Sequence, residues 1–169
     1  MTQRLDGIPT HHLYPCMVFW HREEHVVTTI LGSCVALCLR DPSTGEGGIN
    51  HYMLALWNGE GLPTPKYGNI AIENLLKRFR SCPPERLEAK LFGGAFVLGN
   101  ASGAFTVGDR NVQLARELLA EARIRIIAED TGGDCGRKVI YNTRTGVVLV
   151  SRLRSADGRP LELPDGRPR

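Results

Sequence analysis

The feature that most constrains this chain is an extended signal that is broken by glycine and resumes at once. Val26 to Leu31 is β-branched and apolar, Gly32-Ser33 interrupts it, and a second extended run follows from Cys34 to Arg40. Asp41-Pro-Ser-Thr-Gly45 is a turn signal and Ile49 to Leu54 resumes extended structure, so residues 34 to 54 read as a β-hairpin. These runs commit the chain to a sheet, and the rest of the sequence has to cover it.

Trp57 to Gly68, rich in glycine and proline, reads as a loop. Ile72, Leu75, Leu76 and Phe79 then fall at i, i+3, i+4 and i+7, with Glu73 placed to pair Lys77, which predicts an amphipathic helix stopped by Pro83-Pro84. Leu87, Ala89 and Leu91 alternate with Glu88 and Lys90, a half-buried strand entering Gly93-Gly94. A second helix is expected from about Arg110 to Arg123, burying Val112, Ala115, Leu118, Leu119 and Ala122. Strands follow at Ile124 to Ala128, Lys138 to Tyr141 and Val147 to Leu153. The expected fold class is α+β: a single domain over residues 1–154 with mixed β-sheets flanked by helices. Asp-Gly-Arg-Pro recurs at 157–160 and 165–168 with almost nothing to bury, so 155–169 is expected to be a disordered tail.

Of 169 residues, 42% are apolar, enough for one domain with a full core. Lys and Arg number 21 against 18 acids, and the stretch from Arg152 to Arg169 holds five arginines and three acids, leaving the body nearly neutral. A nucleic-acid groove needs a basic stripe, and a membrane patch needs a polybasic cluster; neither is expected. The uncharged run Val26 to Leu39 is too short and too polar to span a bilayer, and the N-terminus lacks the apolar core of a secretory signal. Five cysteines at irregular spacing suit a reducing compartment, so a cytoplasmic location is expected.

Cys34 and His51 are the pair in which chemistry could reside. In a hairpin turning at 42–45, positions summing to about 85 or 87 lie opposite, so His51 faces Cys34 or its neighbour Ala36, on the same sheet face either way. Gly47-Gly48 could supply a bulge. The face of Cys34 continues with the small Ala36 and Cys38, whereas Val35, Leu37 and Leu39 point the other way. This predicts a core face of large residues and room for a substrate above the thiol. A thiol beside an imidazole is the minimum apparatus for nucleophilic acyl chemistry. Thr28 is a candidate to orient the imidazole if the chain turns at Gly32-Ser33, a turn that would also lift backbone N–H groups near Ser33 and Cys34 toward a bound carbonyl. A purely structural Cys/His pair competes with this reading. Zinc on Cys34, Cys38 and His51 is disfavoured, because four strand residues span about 13 Å, against Zn–S bonds of about 2.3 Å.

Gly93-Gly94 and the Gly132-Gly133-Asp-Cys-Gly136-Arg137 tract could cradle an anion but match no nucleotide fingerprint, and tight turns account for them more simply. Asp109, Arg110 and Asn111 read as cap and charge of the second helix. His11, His12, His21 and His25 have no metal spacing and read as surface residues, and Cys16, Cys82 and Cys135 have no recognisable partner.

Thr28-Thr-Ile-Leu-Gly-Ser-Cys34-Val, Arg40-Asp-Pro42, Gly47-Gly48 and Asn50-His51-Tyr-Met-Leu54 together resemble the chemoreceptor glutamine deamidase family, CheD. The resemblance continues through Lys66-Tyr-Gly68, Lys90-Leu-Phe-Gly-Gly-Ala95, Val107-Gly-Asp-Arg-Asn111, Asp130-Thr-Gly-Gly133 and Gly136-Arg-Lys138. It implies a Cys–His–Thr triad on Cys34 as nucleophile, His51 as general base and acid, and Thr28 in preference to Thr29, with Gly32 and Ser33 in support. It also implies a β-rich sandwich similar to the catalytic domain of cytotoxic necrotizing factors. The implied activity is hydrolysis of receptor glutamines to glutamates through a thioester, with methylglutamate hydrolysis as a further reaction. No cofactor and no metal are implied. The implied partners are chemoreceptor cytoplasmic domains and, as in some members, a CheC-like phosphatase. The segment 1–25 departs from the family pattern, reading His12-Leu-Tyr-Pro-Cys-Met-Val-Phe-Trp20 where a Gly-Glu-Tyr-like stretch is common.

The same apparatus could serve a peptidase or an acyl transferase. A different class of reading is a non-catalytic module that docks a receptor or a CheC-like phosphatase.

Overall fold

The computed structural model describes residues 4–5, 7–96 and 105–154. The tail expected to be disordered lies outside them. Ten strands are present among the described residues: β1 (Arg4–Leu5), β2 (Ile8–His12), β3 (Met17–His21), β4 (Val26–Leu31), β5 (Val35–Asp41), β6 (Glu46–His51), β7 (Glu88–Gly93), β8 (Arg125–Thr131), β9 (Arg137–Asn142) and β10 (Val148–Arg152). Helix α1 (Gly68–Leu76) precedes β7 and helix α2 (Val107–Glu121) follows it. The strands form two five-stranded sheets, ordered β1-β2-β4-β9-β10 and β3-β6-β5-β7-β8. Each is mixed: β2 and β4 run parallel in the first, β7 and β8 in the second, and the other pairs are antiparallel. This is an α+β domain in three layers, sheet on sheet on helices.

Strand β5 explains the layering. It lies in the middle of the second sheet, and all its residues except Arg40 are buried. Val35, Leu37 and Leu39 pack on one side with Ala71, Ile72 and Leu75 of α1 and Val112, Ala115 and Leu119 of α2. Ala36 and Cys38 face the other way, into a second core with Val27, Leu31, Ile49, Phe92, Val139 and Tyr141. The small-residue face is therefore not open above the thiol, as alternation suggested. Ala36 and Cys38 are covered by the first sheet, and small side chains there let two sheets approach. Of Cys34, Ala36 and Cys38, the first, just before β5, is the one that is partly exposed.

The hairpin keeps one register, from Asp41↔Glu46 to Cys38↔Ile49. Val35 and Tyr52 exchange backbone hydrogen bonds in the same register further along, so the expected bulge at Gly47-Gly48 is absent. Those glycines serve close approach: a Cβ on Gly47 would overlap the Thr143 carbonyl, and one on Gly48 would meet Leu75 and the Phe19 carbonyl. β6 ends at His51, short of the expected Leu54. α2 begins at Val107, ahead of the expected Arg110, because Thr106 and Asp109 form a reciprocal capping box. The N-terminal strands β2 and β3, which carry little alternation, went unread in the sequence.

Asp41 closes β5 and starts the turn. Its carboxylate accepts from the Ser43 N–H at 2.9 Å and hydroxyl at 2.8 Å, and from Arg86 at 3.0 and 2.8 Å. Burial pushes a carboxyl up, but the Arg86 guanidinium and Ser43 override it and hold Asp41 well below the usual carboxylate range. A group lowered in this way contributes stability that is complete above its unfolded value, ~3.9, and fades as pH falls toward the folded value. Asp41→Asn should therefore lower stability to urea by about 1.5–3 kcal/mol at neutral pH. The gap between variant and wild type should narrow from about pH 4 downward. A gap independent of pH would assign the loss to the turn and not to the carboxylate.

Candidate active site

The chain leaves the first sheet at Leu31, turns through Gly32, Ser33 and Cys34, and enters the second sheet at Val35. This corner puts Cys34 at the edge of the inter-sheet core, packed against the cluster that includes Ala36 and Phe92. Hydrogen bonds from one loop hold the corner: Gly94 N–H donates to the Cys34 carbonyl and Ala95 N–H to the Gly32 carbonyl, each at 2.8 Å. Gly93 has φ of 108°, and a side-chain carbon there would overlap the Cys34 carbonyl oxygen, so only glycine fits. Gly93 and Gly94 thus form a turn of close approach, whereas Gly132 and Gly133, with φ of 74° and 76°, form a left-handed turn with open space around it. Arg137, fully buried, ties them together by donating to the carbonyls of Gly93, Asp130 and Gly132 while pairing with the Asp130 carboxylate.

His51, the last residue of β6, is 1% exposed. In the hairpin register it stands opposite Ala36, one diagonal step from Cys34 on the inner face. The structure records no hydrogen bond between the thiol and the ring; such bonds often tighten only when substrate binds. What it does record is the ring's other side. His51 Nδ1 lies 2.8 Å from the hydroxyl of Thr29, and that hydroxyl donates to the Leu13 carbonyl, also at 2.8 Å. A threonine hydroxyl has one proton, so toward Nδ1 it can only accept. Nδ1 therefore carries the ring proton, and Nε2, buried with no partner among the described residues, is the free base.

The hydroxyl that meets His51 is that of Thr29, where the sequence expectation had Thr28. The reason is parity: Val27, Thr29 and Leu31 turn inward between the sheets, whereas Thr28 points outward on β4 beside His12 of β2. Sequence alternation offers no choice between them, because Val26, Thr28 and Ile30 are as apolar a set as Val27, Thr29 and Leu31. Cys16, which had no assigned partner, also proves to border the site: its N–H donates to the His51 carbonyl at 2.8 Å and its Sγ lies 3.5 Å from Met53 Sδ. Ser33 and Cys34 N–H groups donate to no other backbone carbonyl among the described residues.

Burial, aided by nearby His12, pushes His51 down to about 4, and burial, aided by Cys16, pushes Cys34 up to about 11 against the pull of its own N–H. These shifts favour a thiol and a neutral imidazole at neutral pH, the forms that a proton exchange between the two would start from. A neutral base is lost only when pH falls through the value of the folded ring, so acylation of Cys34 by an activated ester should fall through about pH 4. A limb near the ordinary histidine value, ~6.5, would mean a solvated ring. Thr29→Val should slow acylation about tenfold, the weight of one net hydrogen bond, with Thr29→Ser restoring it and Thr28→Val leaving it unchanged. Equal losses at the two threonines would overturn the tautomer assignment.

The family model described as CheD chemotactic sensory transduction matches residues 55–152, a span that begins after His51. A protein of Trichlorobacter lovleyi named "Probable chemoreceptor glutamine deamidase CheD" is 52% identical over 151 residues, covering 87% of this chain and 94% of its own. A Sulfurimonas denitrificans protein of the same name is 40% identical over 149 residues, covering 86% of this chain and 96% of its own. With more than half of its residues on the family model and most of its length aligned to both relatives, the chain belongs to the CheD family.

Proposed function

We propose that this protein hydrolyses glutamine side chains of chemoreceptors to glutamate, with Cys34 as nucleophile, His51 as general base and acid, and Thr29 as the positioning residue. The observation that carries the reading is the free, buried Nε2 of His51, its tautomer set by Thr29, one diagonal step from a partly exposed thiol. His51 Nε2 takes the thiol proton as Sγ attacks the side-chain amide carbon, and the oxyanion forms beside the Ser33 and Cys34 N–H groups. The imidazolium then gives that proton to the departing amine, releasing ammonia and leaving a thioester. Water, deprotonated by Nε2, hydrolyses the thioester to glutamate and restores the thiol. The chemistry of a methylglutamate ester is the same apart from its leaving group, methanol.

The surroundings fit a protein substrate. Tyr14 and Met17, on the segment that contacts Thr29 and His51, and Leu54 and Leu56, just past β6, are exposed apolar side chains flanking the site. An amphipathic receptor helix could cover them and offer one glutamine to the thiol while its backbone stays outside. No helix among the described residues is long and apolar enough to cross a membrane, and the proposal places the protein in the cytoplasm with the receptor's signalling domain as substrate. The proposal extends to a CheC-like phosphatase as a second partner that competes for the same apolar rim.

Incubated with receptor cytoplasmic fragments, the protein should release ammonia and convert particular glutamines to glutamates, read by mass spectrometry, without cutting the backbone. Cys34→Ala and His51→Ala should each remove the activity. Cleaved receptor peptides, or ammonia release by Cys34→Ala at the wild-type rate, would overturn the proposal.

A further inference from the structure

Asn111 lies in α2, on the helix side of the second sheet, and is fully buried. Its side-chain amide donates in two directions, to the Ser33 carbonyl at 3.1 Å and to the Met53 carbonyl at 2.8 Å. Ser33 immediately precedes the proposed nucleophile, and Met53 is the residue opposite Cys34 in the hairpin register. The contact is returned: the Tyr52 hydroxyl donates to the Asn111 carbonyl at 2.6 Å. One residue therefore holds both lips of the site.

The consequence follows from peptide geometry. The Ser33–Cys34 peptide is trans, since no cis bond is present, and in a trans peptide the carbonyl and the N–H point in opposite directions. Asn111 draws the Ser33 carbonyl toward α2. The Cys34 N–H is thereby turned toward the inner face, where His51 and the Cys34 side chain lie. We infer that Asn111 is a positioning residue for acyl chemistry at Cys34, holding the Ser33–Cys34 peptide so that its N–H faces the oxyanion of the attacked carbonyl.

This inference deepens the proposed deamidase reading, and it can be tested without a receptor. Asn111→Asp keeps the shape of the side chain but removes both donors and sets a carboxylate against two carbonyls; Asn111→Ala removes the group. Two reactions of Cys34 separate the roles. Acylation by p-nitrophenyl acetate passes through a tetrahedral oxyanion, whereas alkylation by iodoacetamide is a displacement that forms none. Loss of one oxyanion donor costs about 100- to 1,000-fold, and a donor misdirected but still present should cost less. The expected result in both variants is acylation slowed about 10- to 100-fold per alkylatable Cys34, with alkylation within about twofold of wild type and its pH profile unmoved. The ratio of the two rates refers only to molecules whose thiol reacts, so partial unfolding does not mimic it. An unchanged ratio overturns the inference, as does alkylation falling in step with acylation, which would make Asn111 a support of the thiol alone. If neither variant folds, Tyr52→Phe, which removes the hydroxyl that fixes Asn111, must lower the same ratio, and the inference fails if it does not. A wild type that is acylated normally but leaves receptor glutamines intact would sink the deamidase reading while leaving the role of Asn111 standing.

Discussion

The chain has to pass from one sheet to the other in the short stretch from Gly32 to Cys34, and that crossing is the constraint on which the site depends. β4 and β5 are consecutive in sequence yet belong to different layers, so residues of β4 and the residue just before β5 both border the inter-sheet core. An unbroken strand would hold Thr29 and Cys34 about 17 Å apart. Folded over the corner, Thr29 meets the His51 ring and Cys34 stands one diagonal step from it in the hairpin register. The sharpness of the turn also leaves the Ser33 and Cys34 N–H groups out of the ladders, as an anion site requires.

Proton accounting at His51 follows from a single hydroxyl. Thr29 gives its only proton to the Leu13 carbonyl and must accept from Nδ1, which leaves Nε2 as the base. A carboxylate in that place would favour a charged ring; a threonine does not, and burial reinforces the neutral form. The site thus departs from triads in which an acidic residue stabilises an imidazolium. Burial favours a neutral ring and a neutral thiol, one diagonal step apart in the hairpin.

Much of this was legible in the sequence, for identifiable reasons. The turn at Asp41–Gly45 fixed the parity of the hairpin, and parity alone puts Cys34 and His51 on one face. The heptad-like spacing of Ile72, Leu75 and Phe79 gave α1 and its extension, and the Glu73–Lys77 pair is present at 2.6 Å. What could not be read was which layer each strand joins. Without it the small face of β5 passed for open space, and Thr28 could not be separated from Thr29 by chemistry, since the two differ only in which way a strand turns them. Asn111 was hidden for a similar reason. In a first helical turn an asparagine looks like a capping accessory, and only the docking of α2 shows its amide reaching residues far away in sequence.

Arg137 carries a consequence for the order of assembly. It belongs to β9, yet it organises the carbonyls of Gly93 and Gly132 behind a corner formed by residues 32–34. A chain emerging from synthesis has its thiol, its imidazole and its threonine long before it has this arginine. Contacts so distant in sequence close late, because loop-closure entropy must be overcome before they stabilise anything. The thiol therefore enters an organised site only when nearly the whole domain is in place, and partly folded chains carry a cysteine without an enzyme around it.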